Sequence, residues 1–199
     1  MMQKKLKQIG LPSNERSELS TRVKKRLNCP VALVGLMGSG KSTIGHKLAK
    51  ELELRFIDVD NLIVKRAGVS ISEIFDLAGE KKFREMEFKA LTEIVLSEPK
   101  VIATGGGAFC QQKNSSILLK KTIVVWLKAK PKTLMKRIGN SKSRPLLNNA
   151  EQLNTLSQLL KDRTADYSKA HLHVDTDSFT TKGSVLKITE ALDNFLEKL

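Results

Sequence analysis

The residues 35–42 read Gly-Leu-Met-Gly-Ser-Gly-Lys-Ser and fit G-x-x-x-x-G-K-[ST] in full. Each position in that spacing has a chemical reason. The glycines let the backbone curl so that successive N–H groups point inward at phosphate oxygens. A helix that follows presents its positive N-terminus to the same anion. Lys41 supplies a point charge for the β- and γ-phosphates, and Ser42 offers a hydroxyl to Mg²⁺. The motif needs a strand before it and a helix after it, and the sequence predicts both. This predicts nucleotide binding and leaves the acceptor open, because a phosphate loop serves many reactions.

Further candidates follow later strands. Asp58 and Asp60 lie at the end of a second apolar segment, and alternation along an extended chain points both carboxylates one way. Such a pair suits a Mg²⁺ shell and a hydroxyl acceptor; Asp60 equally suits a helix cap beside a solvated charge. Thr104-Gly105-Gly106-Gly107 follows a third segment. Three glycines allow a ligand close to the backbone, or simply make a flexible turn. Arg84, Arg144 and Arg163 carry planar forks that match carboxylates and phosphates. The sequence alone does not bring them together, and among so many basic residues each also reads as surface solvation.

The elements that must position these groups alternate between short apolar runs and helical stretches. Strands are predicted at 31–34, 55–58, 101–104, 122–127 and 171–174. Helices are predicted at 41–52, 70–96 with a break at Gly79, from Pro131 onward, at 151–166 and at 182–199. Continuous apolar strands separated by helices predict an α/β fold with a parallel sheet covered on both faces. The polar stretch around 138–150, with Arg144-Pro-Leu-Leu147, reads as a mobile loop able to close over a ligand. Residues 1–28 read as a basic N-terminal extension, with Leu19, Val23 and Leu27 at every fourth position of a short helix near 15–27, and 29–199 as the main domain. His171 and His173 share a strand face and read as structural.

Composition narrows the partners. The chain of 199 residues carries 35 Lys+Arg against 21 Asp+Glu, a formal net charge of +14. That balance suits small anionic substrates or nucleic acid. Aromatics are only 5%, so stacking platforms for single strands are few. No apolar run approaches the roughly 18 residues that cross a membrane. The N-terminal residues lack the apolar core of a secretory signal, and Glu15 and Glu18 are unlike most organelle transit peptides. Cys29 and Cys110 have no metal-ligand spacing and read as free thiols. The expectation is a cytoplasmic protein, a monomer, with no membrane and no nucleic-acid partner.

Taken in order, these motifs resemble the shikimate kinase family. The resemblance runs from about Val31 to near the C-terminus. It rests on Gly35–Gly45, Phe56-Ile-Asp58-Val-Asp60, Gly68-Val-Ser-Ile-Ser-Glu-Ile-Phe75, Gly79-Glu80-Lys-Lys-Phe83-Arg84-Glu85-Met-Glu87, Ala103-Thr-Gly-Gly-Gly107, Arg144-Pro-Leu-Leu147, and Arg163 with Tyr167. It implies a phosphate-loop fold of the nucleoside-monophosphate-kinase type, with a five-stranded parallel sheet and a mobile lid. It implies transfer of a phosphoryl group from ATP to the 3-hydroxyl of shikimate, with Mg²⁺, on the route to chorismate and aromatic amino acids. It also implies roles. Gly38, Ser39, Gly40, Lys41, Ser42 and Thr43 would cradle ATP, with Arg137 over the adenine beside Val174-Asp175-Thr176 and Arg144 reaching the phosphates from the lid. Ser42 would bind Mg²⁺, and Asp58 would hold it through water. Asp60 would accept a hydrogen bond from the reacting hydroxyl and orient it, with the role of base left open. Arg84 and Arg163 would clamp the shikimate carboxylate beside Gly105, Gly106 and Gly107, with Phe75 and Phe83 as an apolar wall. One departure stands near Arg163: the family commonly has a proline where this chain has Ala165, followed by Asp166, which leaves the local backbone less constrained. Two rivals remain, a kinase of gluconate or a nucleoside monophosphate, and a basic module that holds nucleic acid through Lys24, Lys25 and Arg26.

Overall fold

The computed structural model describes residues 11–96, 98–139 and 149–198. Five strands, β1 (Val31–Val34), β2 (Arg55–Asp58), β3 (Lys100–Ala103), β4 (Ile123–Lys128) and β5 (Leu172–Asp175), form one sheet in the order β2-β3-β1-β4-β5. Every pairing is parallel, with Val31 in register with Val101 on one side and Ile123 on the other. Strand β1 is central, and the chain leaves it toward β3 on one flank and β4 on the other. That reversal opens a crevice beyond the carboxyl ends of the strands, where ligands bind in such sheets.

The period of two along β1 assigns its side chains to opposite faces. Val31 and Leu33 join a core with helices α1 (Ser13–Arg26), α2 (Lys41–Glu51) and α8 (Thr181–Leu196). Ala32 and Val34 join a second core with α3 (Val59–Ala67), α4 (Ile71–Ile94), α5 (Gln112–Lys121), α6 (Pro131–Gly139) and α7 (Asn149–Tyr167). Both faces of β1 are therefore dry, which is why it reads as an unbroken apolar run.

Local signals account for the helix ends. Ser70 and Glu73 make a reciprocal capping box at the start of α4. Gly68, at φ 73°, ends α3. Gly79, at φ 75° and ψ 169°, interrupts α4 where the sequence predicted a break. Helix α1 begins two residues earlier than its period suggested. It buries Leu19 and Val23, and its C-cap Leu27 is buried beside them, each contributing roughly 1.5–3 kcal/mol. Arg16 and Glu51 pair it to α2, and Arg22 and Arg26 both bind Asp193 of α8.

One expectation is corrected. Asp58 and Asp60 do not alternate along an extended chain, because the strand stops at Asp58. Asp58 is the N-cap of α3 and accepts from Asn61 N at 3.2 Å, while Asp60 lies in the helix's first turn. The two carboxylates accordingly serve different neighbours. Of the lid segment, 138–139 belong to α6 and 149–150 to α7, and residues 140–148, Arg144 among them, lie outside the described residues.

Candidate active site

The phosphate loop bridges β1 and α2. Gly38 has φ 78°, a conformation that L side chains avoid, and a Cβ there would lie 2.9 Å from Leu134 O. Its neighbour Gly40 caps α2 in the left-handed region, so the helix starts at Lys41 with its first N–H groups turned toward the loop. The Lys41 ammonium donates to Gly35 O at 2.8 Å and Leu36 O at 2.9 Å. The charge is thus carried over the loop by the loop's own backbone. A cavity of about 380 Å³ opens beside it, lined in part by Thr43, Arg137 and Thr181. Arg137 is fastened there, donating to Thr176 Oγ1 at 3.1 Å, Thr176 O at 2.7 Å and Ser39 O at 3.5 Å.

Ser42 Oγ donates to Asp58 Oδ2 at 2.6 Å. A hydroxyl and a carboxylate in contact at the end of a phosphate loop are hard oxygen donors, the type that divalent Mg²⁺ takes. These two residues fit a metal bound jointly with a nucleotide's phosphates.

The acceptor side is built around the turn Gly105–Gly107. A Cβ on Gly106 would come 3.3 Å from Met37 N, so this turn lies against the phosphate loop. A Cβ on Gly105 would meet Asp60 Oδ1 at 2.8 Å and Glu87 Oε1 at 2.9 Å. Glycine therefore leaves room between two carboxylates from α3 and α4. Gly105→Ala is expected to force Asp60 aside and lower kcat/KM about 10²-fold, the scale of an ångström of misplacement. Steady-state kinetics beside an unchanged unfolding midpoint check this; activity within threefold of the parent would show the space is not needed.

Two arginines from different helices converge on the same turn. Arg163 of α7 donates from Nη1 to Gly106 O at 3.1 Å, and the Tyr167 hydroxyl donates to that same carbonyl. The Arg84 guanidinium of α4 passes 3.1 Å from where Gly107 would carry a Cβ. It donates to Glu87 Oε2 at 3.0 Å and to Glu80 Oε1 at 2.9 and 3.2 Å. Burial opposes its charge, but the Glu87 and Glu80 carboxylates outweigh that and raise its pKa. Phe75 and Phe83 stand 5.0 Å apart beside it, with the Arg84 guanidinium 5.3 Å over the Phe83 ring. The Ala165 departure leaves α7 unbroken to Tyr167, one turn beyond Arg163.

Glu87 closes the sequence motif that begins at Gly79, and the sequence assigns it no role. It is fully buried, held on one oxygen by Arg84 and by Asn114 Nδ2 at 3.2 Å. Its three-residue spacing from Arg84 on a helix was the available signal. Burial pushes its pKa up, the Asp60 charge adds to that, and Arg84 and Asn114 act against it. A carboxyl raised in the fold contributes stability below its unfolded pKa and loses it as pH rises through the folded value. Replacing Glu87 by Gln removes that loss. The unfolding midpoint of Glu87→Gln relative to the parent is therefore expected to improve as pH rises above the ordinary carboxylate pKa and to level off once the Glu87 carboxyl is ionised in the fold; a flat or falling difference would contradict the burial argument.

Tyr167 stacks on Trp126 at 5.6 Å and its pKa is pushed up, chiefly by burial. It keeps its proton and holds Gly106. His171 and His173 bind backbone, His171 Nδ1 accepting from Val124 N and His173 meeting Ser168 O. Cys29 and Cys110 are free thiols.

A parallel sheet in this order, with a phosphate loop leaving its central strand and an arginine-bearing acceptor turn beside it, defines a phosphate-loop kinase of the nucleoside-monophosphate-kinase type. A family model described as shikimate kinase matches residues 37–193. The shikimate kinase of Moorella thermoacetica is 40% identical over 169 residues, 85% of this chain and 97% of its own. That of Novosphingobium aromaticivorans is 35% identical over 179 residues, 88% of this chain and 93% of its own. The solved structure of shikimate kinase from Acinetobacter baumannii in complex with shikimate superposes with a TM-score of 0.79 at 34% identity, covering 88% of this chain and 98% of that one. The chain belongs to the shikimate kinase family, enzymes that phosphorylate shikimate in aromatic amino acid biosynthesis.

Proposed function

We propose that this chain transfers the γ-phosphoryl group of ATP to the 3-hydroxyl of shikimate, giving shikimate 3-phosphate and ADP. The observation that carries this reading is the convergence of Arg84 and Arg163 on a glycine turn that touches the phosphate loop. Two fixed cations suit one carboxylate, and Asp60, against Gly105 of the same turn, suits a hydroxyl of the same small molecule.

The proposed roles follow the contacts. Gly38, Ser39, Gly40 and Thr43 line the nucleotide side. Lys41 stabilises charge that spreads over the phosphoryl oxygens in the transition state. Ser42 and Asp58 would hold Mg²⁺, Asp58 through water; when bound, the ion neutralises phosphate charge. Arg137, braced by Thr176, flanks the base. Asp60 orients the reacting hydroxyl and accepts its proton as the O–P bond forms. Arg84, Gly105, Gly106, Gly107 and Arg163 hold the acceptor. Arg144, in the segment outside the described residues, is proposed to reach the phosphates and help keep water, the competing nucleophile, from the transferring group. Among the described residues no helix is long and apolar enough to cross a membrane. A monomer acting in the cytoplasm is the corresponding proposal, with 29–199 as its catalytic unit and 1–28 as an extension.

Arg84→Ala and Arg163→Ala are each expected to raise KM for shikimate about 10- to 100-fold, the scale of one lost charge-assisted hydrogen bond, with far smaller change in kcat. An unchanged KM would remove that arginine from the clamp. The function itself is tested by ADP release with ATP and Mg²⁺ against shikimate, gluconate, a nucleoside monophosphate and no acceptor. Turnover that depends on shikimate is expected. Turnover with another acceptor would keep the kinase and reject this acceptor site.

A further inference from the structure

Helices α1, α2 and α8 enclose a groove of about 890 Å³ on the opposite face of the sheet from the acceptor side. Lys25, Lys47, Lys50 and Lys182 line it. Among the described residues none of these four ammonium groups makes an ion pair or a hydrogen bond, although eleven ion pairs form, nine of them outside the groove. The groove's other cations are spent: Arg16 is held two-pronged by Glu51, and Lys24 meets Glu53 at 2.5 Å. Four lysine charges facing one hollow repel one another unless an anion sits between them.

We propose that this groove binds a small, multiply phosphorylated anion, separately from the nucleotide cradle. Three features choose that chemistry. Lysine is a flexible point charge suited to phosphate, whereas planar carboxylates favour the arginine fork, and the fork of Arg16 is already occupied. The volume falls within the roughly 300–1,000 Å³ of small-ligand sites. Glu51 and Glu53 interrupt the cationic lining, and among the described residues no aromatic side chain lines it, so a nucleic-acid strand finds there neither a continuous track nor a stacking surface. The chain's own N-terminal residues cannot neutralise it, since 1–10 carry Lys4, Lys5 and Lys7 and no acid. The groove also borders the nucleotide side: Lys47 lies one turn along α2 from Thr43, and Lys182 follows Thr181 on α8.

The test is calorimetric titration of the full chain with inorganic tripolyphosphate, after a non-hydrolysable ATP analogue and excess Mg²⁺ have saturated the phosphate loop. One equivalent is expected to bind, weakening as salt rises. Lys25→Glu/Lys50→Glu is expected to weaken it at least about tenfold while analogue affinity and turnover stay as in the parent; both positions are exposed, and Lys25→Gln/Lys50→Gln repeats the test without reversing charge. No binding with the loop filled, or equal binding by the variants, overturns the proposal. A 12-nucleotide single strand that binds the groove more tightly than tripolyphosphate at the same salt also overturns it, in favour of nucleic acid. A weaker-binding strand supports the small anion.

Discussion

Lys41→Met is expected to lower kcat about 10³-fold, the loss seen when one preorganised charge-stabilising group is removed. The reason is the way the ammonium is held. Gly40 starts the helix in a left-handed conformation, and Lys41, its first residue, reaches back to Gly35 O and Leu36 O at 2.8 and 2.9 Å. The charge therefore stands over the loop before any nucleotide arrives and needs no reorganisation at the moment of transfer. Methionine keeps most of the stem's apolar length and removes the charge with its three donors. Arginine is not expected to rescue, because a planar fork does not replace a compact ammonium between two carbonyls. KM for shikimate should change little, since Lys41 is placed on the nucleotide side. Steady-state kinetics and an unfolding curve decide the matter. A kcat within tenfold of the parent, in a folded protein, would mean that transition-state charge is balanced elsewhere.

The nucleotide half of the site was legible because its signal is contiguous. One stretch of eight residues holds the turn, the cation and the hydroxyl, and the apolar run 31–34 and the helix after it supply the context. The acceptor half was legible only as fragments. Arg84, Gly105 and Arg163 lie far apart in the chain, and parallel β1–β3 pairing with packing of α4 and α7 brings them to one turn. Periodicity carries no information about such closure. Asp58 and Asp60 illustrate the opposite limit. A period of two was extended two residues past the end of β2, to Asp60, where the N-cap geometry of Asp58 begins a helix instead. Glu87 was passed over because a glutamate on a helix reads as solvated. Its burial comes from Asn114 and Arg84 closing over it, a tertiary fact. The free lysines of the α1–α2–α8 groove were likewise invisible, since their neighbours' ion pairs form only on folding.

Asp60→Asn is expected to lower kcat about 10²- to 10⁴-fold, the range for loss of a positioned proton acceptor, with KM for shikimate changed far less. Asparagine keeps the volume and an oxygen that accepts a hydrogen bond, so it still orients a hydroxyl. It cannot take the proton that the hydroxyl must release as its oxygen bonds to phosphorus. Gly105→Ala supplies the complementary change: the carboxylate remains, but a Cβ 2.8 Å from Asp60 Oδ1 must move it. Comparing the two separates charge from position. If proton acceptance matters most, Asp60→Asn is the more damaged in kcat, and Gly105→Ala shows a larger share of its loss in KM. If Asp60 serves only to orient, Asp60→Asn stays within about tenfold, and Gly105→Ala becomes the worse variant. The second pattern is chemically reasonable where the transferring group is loosely bonded at the transition state and the hydroxyl loses its proton late. The wall around Asp60 argues for the first. Its Oδ1 atom is buried, and a Cβ on Gly105 would lie 2.8 Å from it and 2.9 Å from Glu87 Oε1, so a carboxylate oxygen shielded from water stands directly beside the acceptor turn.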